Sequence, residues 1–177
     1  MAVDQTKVNV PNPVMRNKVA DYLKVNDKYV LMGVGFETLD ESPNAQSMQK
    51  TYVNQATATT IIKSYQTEFP YTADMIISED AVVALYECGR NHLIGTGAMF
   101  QYCRVDLFDP VEGEANVYKA REFIVSNEVS GNTGNGGDPL TLAGTLKCVG
   151  DPVFGTFNTT TGEFTPDEDT DSGEETT

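Results

Sequence analysis

The residues that could do chemistry are few, and each set falls short on type or spacing. Residues 131–137 read Gly-Asn-Thr-Gly-Asn-Gly-Gly, rich enough in glycine to wrap a phosphate with backbone N–H groups. No Lys-Ser/Thr pair follows, and Asp138-Pro139 does not open a helix, so the segment reads as a flexible connection. Asp167, Asp169 and Asp171 have the spacing of calcium-loop ligands, yet Ser172 stands where that loop needs a glycine. His92 is the single histidine; beside Asn91 it suits a surface or capping position better than a general base. Cys88, Cys103 and Cys148 form no C-x-x-C pair, and zinc would need carboxylates to complete a site, so they read as buried free thiols. Asn158-Thr159-Thr160 matches a glycosylation acceptor by pattern alone. Glu37, Asp40 and Glu41 cluster in a polar stretch, readable as a solvated loop or as a contact surface. These residues propose no reaction, no cofactor and no metal.

Charge narrows the classes further. The 177 residues hold 12 Lys plus Arg against 26 Asp plus Glu, a formal net charge of -14. Gripping nucleic acid through its phosphates needs clustered cations, and anionic membrane surfaces repel such a chain. No apolar run approaches the 18 or so residues of a membrane span. The first residues, Met1-Ala2-Val3-Asp4, lack a charged-then-apolar leader, so the expectation is a soluble cytoplasmic product.

The elements that must carry the chain are mostly strands. There are 20 Thr and 18 Val but only 9 Leu, and β-branched side chains fit a pleated surface better than a helix. A hairpin is expected over Tyr22–Val25 and Tyr29–Val34, turning at Asn26-Asp27, which tolerate positive φ. A helix over Pro13–Leu23 competes with it and is the weaker reading. The polar stretch from Glu37 to about Ala56 shows no sustained period and reads as a long loop. A strand is expected over Thr59–Phe69. One helix is expected from Ser78, as N-cap, through Tyr86, with Val82, Leu85 and Tyr86 as its apolar stripe and Gly89 as its stop. Further strands are expected over Met99–Phe108, Asn116–Val129 and Leu140–Val149, then a hairpin of Phe154–Asn158 with Glu163–Thr165. In the second of these, Val117, Phe123, Val125 and Val129 share a face with Lys119, Arg121 and Asn127. Such a mixed face suggests a strand that sees something besides plain core. From Pro166 the chain carries six acids and no base, and reads as a disordered tail.

Several phrases in this order resemble a known family. They are Tyr22-Leu23-Lys24-Val25-Asn26-Asp27-Lys28-Tyr29-Val30, then Gly35-Phe36-Glu37-Thr38-Leu39-Asp40-Glu41-Ser42-Pro43-Asn44, Lys50-Thr51-Tyr52-Val53-Asn54 and Phe69-Pro70-Tyr71-Thr72-Ala73-Asp74. Val105-Asp106-Leu107-Phe108-Asp109-Pro110, Ala120-Arg121-Glu122-Phe123 and Val149-Gly150-Asp151-Pro152-Val153-Phe154 follow. Together, over about Tyr22 to Thr165, the chain resembles the tail tube (major tail) proteins of long-tailed phages of Gram-positive bacteria.

The resemblance implies a mainly β fold, a β-sandwich or partial barrel of the tail-tube type with one flanking α-helix and a long loop after the first hairpin. It implies an N-terminal arm over 1–17, the tube domain over 18–165 and the acidic tail over 166–177. It implies a homo-oligomer of hexameric rings stacked into a tube, with tape measure and tail terminator or completion proteins as partners. Phage DNA would pass through the lumen without specific binding, and the protein would reside in the virion tail after assembly in the host cytoplasm. The loop at 37–56 would be the inter-ring contact, through Glu37, Leu39, Asp40, Glu41, Asn44, Gln46, Lys50, Tyr52 and Asn54. A tube of a related contractile injection or type VI secretion-like system is the nearest alternative. A small β-rich binding or adhesion module is the alternative from another class, and should show an aromatic-lined pocket.

Overall fold

A computed structural model describes residues 12–168. Eleven strands and one helix follow in order: β1 (Val19–Val25), β2 (Lys28–Leu31), β3 (Phe36–Leu39), β4 (Ala45–Lys50), β5 (Thr59–Tyr65), β6 (Glu68–Asp74), α1 (Asp80–Arg90), β7 (Met99–Pro110), β8 (Val117–Thr133), β9 (Thr141–Cys148), β10 (Val153–Asn158) and β11 (Glu163–Pro166). The chain is mainly β, a curled half-barrel sheet with one helix laid against it, as expected.

The curl comes from β8. Its 17 residues pair with β7 along one edge, while the other edge is shared. β10 takes Val117–Glu122 and β9 takes Val125–Cys148's register from Val125 onward, so the sheet forks at Ile124. Beyond β9 the order continues through β6 to β3; beyond β7 it continues through β1 to β2. Two cores result, on opposite faces. The larger holds Leu23, Phe69, Tyr71, Leu85, Tyr102, Phe123, Leu142 and Leu146 under α1. The smaller packs Cys103, Val105 and Ala120 against Phe157, whose ring lies 4.4 Å from that of Tyr22. Strand β7 is therefore buried on both sides from Tyr102 to Val105.

The first hairpin forms as expected, with Asn26 at φ 50° and Asp27 at φ 62°. The competing helix reduces to one 3-10 turn over Arg16–Lys18. Helix α1 starts later than expected, with Glu79 and not Ser78 at the N-cap and no side-chain cap bond. Its stop is His92, not Gly89. His92 takes φ 52° and donates to Gly89 O at 3.2 Å, while Leu93 donates to Cys88 O at 3.0 Å. That pair of bonds closes a Schellman turn. Gly89 serves packing instead: a Cβ there would meet the Val129 side chain at 2.9 Å.

Three other expectations need correction. Residues 37–56 are not a structureless loop, because β3 and β4 take up Glu37–Leu39 and Ala45–Lys50. The ribbon is exposed on both faces, so β4 carries no alternating period. The strand expected over Thr59–Phe69 breaks at Gln66-Thr67 into β5 and β6. Strand β8 runs through Gly131 to Thr133, into the stretch read as flexible, and β11 includes Pro166. The acidic residues from 169 onward, and the first eleven residues, lie outside the described part.

Candidate functional site

The chain's most exposed built element is the β4–β5 ribbon. It forms a separate two-stranded sheet, yet it is continuous with the main one. Leu39 pairs with Tyr71, Ser42 bridges Glu68 and Ala45 pairs with Tyr65, each step three residues along both strands. A single hairpin thus runs from Phe36 to Asp74; its lower half is a wall of the core and its upper half an arm. All seven residues of β5 are exposed, including Ile61, Ile62 and Tyr65. Near the tip, Val53 is fully bare and Tyr52 is 53% exposed. A bare two-stranded ribbon is marginal in water, and its apolar side chains stand exposed to solvent.

Charged groups fix the root of the arm. Asp21, 2% exposed, accepts from Arg16 Nη2 at 2.6 Å and from the Tyr102 hydroxyl. Arg104 Nε lies 3.1 Å from Asp21 Oδ1 without an aligned N–H bond, and Arg104 Nη2 donates to Leu39 O at 3.2 Å. The same guanidinium reaches Glu41 Oε2 at 3.3 Å, and Arg121 completes the clasp. Beneath sit the rings of Phe69 and Phe123, 5.3 Å from Arg104 and 5.6 Å from Arg121. Burial pushes the Glu41 carboxyl up, but the hydrogen bonds and charges of Arg121 and Arg104 outweigh it and hold the group below the usual value. Burial raises Asp106 nearby, against the pull of the same two arginines. The residues drawn together here come from β1, β3, β7 and β8, which no local spacing could announce.

The expected contact residues divide along this boundary. Asn44, Gln46, Lys50, Tyr52 and Asn54 belong to the arm or its base and are exposed. Glu37, within β3, and Asp40, just after it, are exposed. Leu39 is buried at 3% exposure, and Glu41 turns inward to the arginines. The strand expected over Thr59–Phe69 supplies the returning half of the arm, with Ile61, Ile62 and Tyr65 exposed; its apolar pair Ile61-Ile62, one on each face, is the signal for that second role. The mixed face of β8 also reads differently in three dimensions. Asn127 accepts from Tyr71 OH at 2.8 Å and donates to Leu85 O at 3.2 Å, and Arg121 holds Glu41. Asn127 is satisfied inside the core and Arg121 at its half-buried edge.

Among the described residues no cluster of three His, Cys, Asp or Glu could hold a metal ion. Burial pushes the Cys148 thiol up to about 11, so it is neutral at pH 7. A half-open cleft of about 470 Å³ lies at the arm's root between Tyr65, Glu68, Lys147, Cys148 and Asp151, with Phe123 at its floor. Its lining is more polar than apolar side chains, unlike a typical small-molecule pocket. Among the described residues no helix is long and apolar enough to cross a membrane.

No protein-family model matches the sequence, and no curated protein is similar to it. Solved structures are similar. A chain of the SPP1 tail tube superposes with TM-score 0.62 at 13% identity, over 86% of this chain and 81% of that one. A chain of the six-fold symmetrised anti-feeding prophage (AFP) baseplate superposes with TM-score 0.50 at 6% identity, over 82% of this chain and 97% of that one. With its forked sheet, flanking helix and projecting ribbon, the chain has the phage tail-tube fold.

Proposed function

We propose that this protein is a structural subunit of a phage tail tube, self-assembling into stacked hexameric rings through which DNA passes. The observation that carries the reading is the bare arm projecting from a sheet similar to that of the SPP1 tail tube. An exposed apolar ribbon on a soluble domain needs a partner, and identical copies supply one at every position of a ring or stack. Strand edges at β2 and β3 end the sheet path, and closure between neighbours would remove them. The arm, with Asn44, Gln46, Lys50, Tyr52 and Asn54, is the inter-ring contact. Residues 1–17 and the acidic tail flank the tube domain. Tape measure and terminator proteins are its further partners, and the virion tail its location.

The uncovered face of β6, β9 and β8 is the proposed lumen lining. It presents Glu68, Thr72, Asp74, Thr145 and Glu128, while Lys147 on the same face is paired with Glu128 at 2.7 Å. A hydroxyl-rich, weakly acidic wall repels phosphates and gives them no cation to hold, so DNA slides. The baseplate similarity favours, as a second reading, the tube of a contractile injection system.

Negative-stain microscopy of the purified protein at rising concentration tests the proposal. Uniform hollow rods or rings are the expected result; a monomer at every concentration would overturn it.

A further inference from the structure

The arm differs from the rest of the molecule in the sign of its charge. Residues 42–67 contain Lys50 and Lys63 and no acid, so all 26 acidic residues of this strongly anionic chain lie elsewhere. On one face of the ribbon Met48 stands opposite Ile61 and Lys50 opposite Thr59, an apolar pair beside a cation. The arm continues the line of β6 past Glu68, away from Asp74, because the pairing register is unbroken across the root.

The opposite pole of the same strands has the complementary character. There β6 ends at Asp74, and the chain continues to Ile77, 85% exposed. Leu140, 42% exposed, lies just before β9 and is held at this pole by Met75, which donates to its carbonyl at 2.7 Å. Exposed Asp80 and Asp138 flank these two side chains. At about 3.4 Å per residue, six-residue β4 reaches roughly 20 Å and seven-residue β6 spans roughly 24 Å. An arm of that length reaches the Asp74 pole of a neighbour placed along the same line.

We infer that the arm of one copy docks on the Ile77–Leu140 rim of a second copy, with Lys50 and Lys63 facing Asp80 and Asp138. The contact is heterologous, donor pole to acceptor pole, so a docked pair still presents one free arm and one free rim and growth is open-ended. Charge of one sign on the arm and the other on the rim also disfavours arm-to-arm pairing, the competing use of two bare ribbons. The inference rests on the tube reading for its partner, a further copy of this chain, and adds which surface receives the arm.

The test is charge reversal in the full chain, read as the protein concentration at which half the material pellets as rods, with circular dichroism confirming the fold. Lys50→Glu with Lys63→Glu, and separately Asp80→Lys with Asp138→Lys, are each expected to raise that concentration about tenfold or more, and the four changes together to restore it within about threefold. If the arm variant fails while the rim variant assembles like the parent, the acceptor is wrong and the tube reading stands. Unimpaired assembly of the arm variant removes the arm as donor. Failure of the parent chain to assemble at any concentration overturns the tube reading and this inference together.

Discussion

Arg121 holds both oxygens of the Glu41 carboxylate, at 2.7 and 3.0 Å, across 80 residues of chain. That geometry is the bidentate form of the guanidinium–carboxylate pair, the strongest of its kind. Arg104 adds a third bond to the same carboxylate. Glu41 sits where β3 gives way to the arm, so this clasp sets the arm's direction from the body.

Replacing Glu41 by Ala leaves the buried Arg104 and half-buried Arg121 guanidinium groups without their shared acceptor. The expected loss is about 1–3 kcal/mol of stability by urea unfolding, since an orphaned charged donor costs more than an ordinary hydrogen bond returns. Faster amide exchange at Ser42 and Glu68, the first bridge above the clasp, should accompany it.

Asp21 and Arg104 are coupled more tightly because both are almost wholly buried. Asp21→Asn removes the counter-charge and should cost about 3–5 kcal/mol. Arg104→Met costs less than that, because Asp21 keeps Arg16 and Tyr102. In the double variant the penalties should fall short of additivity by about 1–3 kcal/mol, measured as a double-mutant cycle.

The acid limb of stability follows from Glu41. Its folded pKa is below its unfolded value, near 4.5, so its contribution is whole above 4.5 and is lost as pH falls through the folded value. Asp106 acts in the opposite sense: its raised folded pKa makes ionisation unfavourable in the fold, and its penalty disappears on acidification. In urea titrations below pH 4.5, Glu41→Gln should flatten the stability profile. Asp106→Asn should steepen it, with no loss of stability at pH 7.

Gly144 has no room for a methyl group. A Cβ there would lie 2.5 Å from Tyr71 Oη and 2.7 Å from the carbonyl oxygen of Glu128. Gly144→Ala must displace backbone or break the Tyr71–Asn127 bond, and should cost about 2–3 kcal/mol. A control at Gly136, where nothing lies within 4 Å, should change stability by less than about 0.5 kcal/mol.

Excising the arm separates folding from assembly. Replacing residues 45–65 by Asn-Gly keeps Leu39 in the core and Glu41 in its clasp. The shortened protein should unfold within about 1 kcal/mol of the parent, because the arm buries almost nothing. It should form no rods by electron microscopy.

The strands of the body were legible because each carries a period that its environment enforces. Tyr22-Leu23-Lys24-Val25 and the Asn26-Asp27 turn specify their hairpin locally, and the Val82–Leu85–Tyr86 stripe specifies the helix. The arm was half hidden for the opposite reason. With neither face of β4 buried, Ala45–Lys50 has no alternation to display, and its pairing with Thr59–Tyr65 is a property of two segments jointly. The clasp was out of reach because Asp21, Glu41, Arg104 and Arg121 meet only once the sheet has folded. Arg121 stands on the mixed face of β8, and its partner lies 80 residues away.

Because the arm continues the register of β3 and β6 through the Ser42–Glu68 bridge, a pull on the arm is directed along β6, and β6 is stitched to β9 over seven residue pairs. Tension in that direction loads those rungs together in shear; it does not peel them one at a time. A filament joined through such arms transmits strain from subunit to subunit through backbone hydrogen bonds, and it would stretch or bend before any protomer unravelled.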